Sequence, residues 1–107
     1  MKKSVRSKAV LAVVLCLAGT VGFAESSGEA TYKAKCLTCH GATGLANSGV
    51  GKMMKVKPAT DPAVMKLTEA EMIAAVTNGA GKMQAYKSSL TGAQIKDAVG
   101  YFRTFMK

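Results

Sequence analysis

The residues best equipped for chemistry stand in one pentapeptide, Cys36-Leu37-Thr38-Cys39-His40. Two thiols separated by two residues, with an imidazole directly after them, match the spacing for covalent haem attachment. Each thiol adds to a haem vinyl group and becomes a thioether, and the adjacent His40 reaches the iron from the same side. Two other chemistries use similar residues. A thioredoxin-like disulfide motif needs a βαβ context, and no strand-like run precedes Cys36. A zinc site takes four ligands, and only Cys36, Cys39 and His40 are good ones here.

An iron held by His40 has a second axial position, filled in low-spin electron carriers by Met or a second His. His40 is the single histidine of the chain. Beyond Met1 the candidates are Met53, Met54, Met65, Met72, Met83 and Met106. Most methionines serve as apolar filler. Met83 stands apart because Gly79 and Gly81 flank it and let the backbone approach a flat ring. It also lies 43 residues after His40, room enough to reach the other face. Met53 and Met54, 13 and 14 residues after His40, are its competitors and would need a tight wrap.

The elements that position these residues read as helices. Residues 27–39 form an N-terminal helix that delivers the motif. Residues 41–60 are rich in glycine and read as an irregular loop around the His40 side. Asp61-Pro62 starts a short helix through Lys66. Thr68 and Glu71 make a capping box, with Leu67 and Met72 as its hydrophobic staple. Met72, Ile73 and Val76 form the buried stripe, and Gly79 ends that helix after Asn78. The pattern repeats with Thr91 and Gln94 as the box and Leu90 and Ile95 as the staple. Ile95, Ala98, Val99, Phe102 and Phe105 then keep helical spacing to the end of the chain. Gly100 within this helix is explained by a close crossing with the N-terminal helix. No run alternates as a strand does, so the fold class is all-α.

The chain has 107 residues, 15 Lys plus Arg, 6 Asp plus Glu and a net charge of +9. Its first eight residues carry Lys2, Lys3, Arg6 and Lys8, and residues 9–24 hold no charge. A basic start, an apolar stretch and small residues at Gly22 and Ala24 describe an export signal cleaved after Ala24. The other readings are an uncleaved anchor, for which the stretch is short, and lipid attachment at Cys16, where Leu15 is too large. Cleavage leaves one domain, residues 25–107, with a charge of +5. Aromatic residues are only 6% and Trp is absent. A chain this small builds a marginal core alone. A bound haem supplies the missing apolar volume, and the apo chain is expected to be largely unfolded.

Gly28-x-x-x-Tyr32-x-x-x-Cys36-Leu37-Thr38-Cys39-His40-Gly41 resembles the N-terminal helix of class I c-type cytochromes. The run from Asn78 through Met83 to Tyr86 is similar to their axial-methionine loop, and Leu90-Thr91 through Phe102-Arg103 to their last helix. The spacing is nearest to small bacterial monohaem members, including those similar to cytochromes c6 and c553. The resemblance covers nearly all of residues 25–107. It implies that the first and last helices cross beside the haem edge, with Gly28 and Tyr32 meeting Tyr101 and Phe102. Two positions depart from it. Gln84 stands where members often carry a loop-stiffening proline. Ser48-Gly49-Val50 stands where a proline often follows the haem histidine, so the carbonyl that orients His40 is not identified.

Two strong ligands leave no open position at iron, which suits electron transfer rather than enzymatic turnover. The reading is a monomeric periplasmic electron carrier with one covalent haem c, passing single electrons between larger redox proteins. Lys33, Lys35, Lys82 and Lys87 lie near the motif or the Met83 loop and would steer the haem edge toward acidic partner patches. Nucleic acid is not an expected partner of an exported chain without a basic aromatic stripe. No stable membrane insertion is expected after signal cleavage. The alternative is an open-site haem protein that binds a small ligand, as a sensor or weak peroxidase, and the Gln84 loop favours it.

Overall fold

A computed structural model describes residues 26–107. The export signal over residues 1–24 and Cys16 lie outside the described residues. The elements are α1 (Ser27–Lys35), α2 (Leu37–His40), α3 (Gly49–Met53), α4 (Pro62–Met65), α5 (Glu69–Asn78) and α6 (Gly92–Arg103). Among the described residues there is no strand, only an isolated bridge between Ala80 and Met83. The fold is all-α.

Every described helix except α2 starts where a side chain takes up an otherwise orphaned backbone donor. Ser26 accepts from the Glu29 amide at 3.1 Å, and Glu29 pairs with Lys33 at 3.0 Å one turn on. Asp61 caps α4, with Pro62 in the first turn. Both capping boxes form: Thr68 with Glu71 and Thr91 with Gln94. Gly79 ends α5 at a φ of 87°, a conformation that a Cβ disfavours.

The first and last helices form the most extensive packing between elements. At the crossing, a Cβ on Gly28 would collide with the Asp97 carbonyl oxygen and lie 3.4 Å from Tyr101 Cβ. Ser27 Oγ donates to Asp97 Oδ2 at 2.7 Å across the same contact. Tyr32, 1% exposed, sits against Tyr101, Phe105 and Phe102 with ring centroids 5.3, 5.7 and 6.4 Å away. Met72, Ile95 and Val99 form the second centre of packing, where α5 meets α6. Val76, Tyr86, Leu90 and Phe102 lie against it.

Four expectations need correction. Gly100 is not at the close crossing: a Cβ there would meet nothing within 4 Å. Gly28 makes that approach, because it faces the α6 backbone one helical turn before Tyr32. The N-terminal helix is not uniform through Cys39. Cys36 departs to a φ of −112°, although its amide still bonds Tyr32 O and its carbonyl still accepts from His40. The loop over residues 41–60 is not wholly irregular, because it contains α3. There Ser48 caps the helix through the Gly51 amide at 3.0 Å and donates to Thr38 O at 2.9 Å. Gly51 lets α3 sit on the motif, since a Cβ would approach Cys39 O to 2.5 Å and Ala46 O to 2.7 Å. Lastly, α6 ends at Arg103, before Phe105, whose ring instead packs against Gly44.

Candidate haem site

The motif is built by the end of α1, by α2 and by the turn that follows. Gly41 leaves α2 at a φ of 84°, and Tyr32 Oη donates to the Gly41 carbonyl at 2.6 Å in a buried bond. That bond fixes the exit of the chain directly after His40. Ala46 N–H returns to His40 O at 2.9 Å. The His40 ring stands edge-on to Phe102, with centroids 5.3 Å apart and planes at 70°. The last helix therefore supports the histidine as well as the crossing.

Cys36, Cys39, His40 and Met83 all line one cavity of about 830 Å³. Its other walls are mainly apolar: Val64, Leu67, Met72, Val76, Leu90, Val99 and Phe102 among them. Met83 comes from the turn after α5, where its amide and carbonyl exchange bonds with Ala80 at 2.9 and 3.0 Å. Of the competitors, Met54 lines the cavity and Met53 does not, being 71% exposed. Met54 follows α3, which lies on the motif itself through Gly51 and Ser48. Met72 belongs to the packed core and accepts a bond from Arg103 Nη1 at 3.7 Å.

The electrostatics favour ligation over thiol redox chemistry. Burial pulls the His40 pKa below its usual value, which keeps the imidazole neutral, as an iron ligand must be. Burial, with a smaller contribution from neighbouring Cys39, pushes the Cys36 thiol up to about 11. Reactive redox cysteines shift in the opposite direction. Among the described residues, no three His, Cys, Asp or Glu side chains converge as a metal site.

Among the described residues, lysines are the only charged side chains in the cavity lining: Lys35, Lys55, Lys57 and Lys82. The sequence reading included Lys35 and Lys82 but missed Lys55 and Lys57. Their signal was the alternation Lys55-Val56-Lys57 at the end of the glycine-rich stretch, with all three residues on the cavity wall. Lys33 and Lys87 do not line it. No orienting carbonyl is found for His40, whose Nδ1 is buried without a hydrogen-bond partner.

The profile of the family described as "Cytochrome C oxidase, cbb3-type, subunit III" matches residues 23–102. The chain belongs to that family. A solved structure described as "KustC0563 c-type cytochrome" superposes with a TM-score of 0.68 at 27% identity, covering 75% of this chain and 98% of the other. The protein is a class I c-type cytochrome. A search of curated proteins gives no match.

The cytochrome's site fits the haem c that its family implies. Two thiols at the attachment spacing, a half-buried imidazole and a thioether line a mostly apolar cavity of suitable size. The buried Nδ1 without a partner fits too, since an unsatisfied buried polar group is costly and marks a functional position.

Proposed function

We propose that this cytochrome is a periplasmic electron carrier with a single haem c, bonded through Cys36 and Cys39 and ligated axially by His40 and Met83. The observation that carries the proposal is the convergence of those four side chains, from two segments distant in sequence, on one apolar cavity. When bound, the haem supplies a one-electron change at iron. Cys36 and Cys39 would hold the group as thioethers, each by adding S–H across a vinyl double bond, which needs no oxidant. His40 and Met83 would hold the iron between them, leaving oxygen and small ligands no site to bind. Methionine sulfur raises the potential relative to a second histidine.

Met83 is favoured over Met54 because the turn of residues 80–83 brings it from outside the motif. Met54 arrives on the segment that already leans on Cys39. Lys35, Lys55, Lys57 and Lys82 place positive charge at the mouth, where a transient acidic partner would dock. The location follows from the export signal, because covalent attachment of c-type haem in bacteria takes place outside the cytoplasm.

Intact mass measured under denaturing conditions tests the attachment. Protein exported alongside haem-maturation machinery should carry the mass of one haem after unfolding. The Cys36→Ser, Cys39→Ser double variant should carry none. Retention of a haem mass by that variant, or two haem masses on the native chain, would contradict the proposal. Docking has its own check: the rate of electron transfer to an acidic partner should fall as salt rises, and a flat response would remove the lysines from it.

A further inference from the structure

We propose that the Tyr86 hydroxyl is a positioning group that latches the Met83 loop onto the haem-attachment helix and holds Met83 on the iron. The inference rests on the reading of Met83 as an axial ligand. It starts from the way the loop is tied down. On the α5 side the ties are backbone bonds: Tyr86 N–H to Val76 O at 2.9 Å and Lys87 N–H to Thr77 O at 3.3 Å. Within the loop, Ala80 and Met83 bond each other twice. These bonds fasten the loop to its own helix and to itself, and none of them reaches the motif.

One side chain does. Tyr86 Oη donates to Lys35 O at 3.2 Å, across 51 residues of sequence. Lys35 is the last residue of α1, directly before Cys36. Among the described residues, no other hydrogen bond joins residues 79–90 to residues 34–57. Tyr86 also lines the cavity and packs against Met72, Ile95 and Val99. Its ring is thus already seated, and the hydroxyl alone spans from the Met83 loop to the motif.

The latch answers a feature of the sequence. Gln84, directly after Met83, does not restrict φ as proline would. Gly79 and Gly81, at φ values of 87° and 56°, leave the loop further freedom. A tie outside the loop is what then limits the excursions of Met83. Gln84 N–H makes no hydrogen bond, so a proline at that position would cost the loop no donor.

The test uses the ferric holoprotein and imidazole as a competing ligand that displaces an axial methionine. Tyr86→Phe keeps the ring and removes the hydroxyl. Imidazole affinity should rise about fivefold, the value of one ordinary hydrogen bond, while the helical melting midpoint stays near that of the wild type. Adding Gln84→Pro to Tyr86→Phe should bring the affinity back toward wild type. An unchanged imidazole affinity in Tyr86→Phe would overturn the latch. So would a rise that accompanies a general loss of stability and that Gln84→Pro does not reverse. Met83→Ala separates the two claims. If it keeps the far-red band of methionine-ligated ferric haem, the ligand reading fails. If it loses the band while Tyr86→Phe binds imidazole as the wild type does, only the latch fails.

Discussion

Tyr32 shows how much one residue can hold. It is buried, touches the rings of Tyr101 and Phe102 on the last helix and of Phe105 just beyond it, and donates to the carbonyl directly after His40. Tyr32→Phe keeps the rings in contact and orphans the Gly41 carbonyl, so it should cost about 1–3 kcal/mol in denaturant unfolding. Burial, more than the neighbouring Cys36, holds the Tyr32 phenol well above its ordinary range. A raised acid pKa in the folded state means that the unfolded chain gives up its proton first. The stabilisation is complete below the unfolded value of about 10 and declines as pH rises above it. The stability gap between wild type and Tyr32→Phe should therefore be constant from pH 7 to 9 and shrink on further alkalinisation. A gap that stays constant to pH 11 would remove the ionisation from the account. Tyr32 was legible as a helix-face residue four positions from Gly28. The acceptor of its hydroxyl was not, because it depends on where the chain turns after Gly41.

At the scale of the element, the two glycines facing or flanking the helix crossing should respond in opposite senses. Gly28→Ala drives a methyl into the Asp97 carbonyl and should destabilise by about 1–3 kcal/mol, as overpacking does. Gly100→Ala enters open space within α6 and should stabilise by roughly 1 kcal/mol through helix propensity. Thermal unfolding of the two holoprotein variants checks both signs, and equal losses would mean that Gly100 also faces the crossing. Helix starts were the most legible part of the chain, since Thr68-Glu71, Thr91-Gln94 and Asp61-Pro62 carry their capping chemistry locally. α3 was hidden because its sequence, Gly-Val-Gly-Lys-Met, has poor intrinsic helix propensity. Ser48 was its one local signal, and the rest of its stability comes from the seat of Gly51 on Cys39 and Ala46. Gly100 was misassigned because a glycine inside a helix has the same sequence signature whether it faces a neighbour or open space.

For the whole molecule, the packing predicts that folding depends on haem. The buried apolar residues are Tyr32, Met72, Ile95, Val99 and three alanines, Ala46, Ala59 and Ala98. Tyr32, Met72, Ala98 and Val99 among them line a cavity of about 830 Å³. A core so small and so hollow gives little burial against chain entropy. The Cys36→Ser, Cys39→Ser variant, purified without haem, should lose most of its far-ultraviolet helical signal. Retention of the holoprotein's signal, with cooperative melting, would show that the chain folds by its own contacts. That Cys36, Cys39, His40 and Met83 share one cavity was legible from motif spacing and flanking glycines. The lysine rim was only half legible, because Lys55 and Lys57 reach the mouth through a turn at Lys55, whose φ is 57°. The central claim concerns the iron's ligands, and the visible spectrum of the oxidised holoprotein beside Met83→Ala and Met54→Ala tests it most directly. Wild type and Met54→Ala should show a weak far-red band, and Met83→Ala should lose it. A band that survives in Met83→Ala, or high-spin features in the wild type, would contradict that claim.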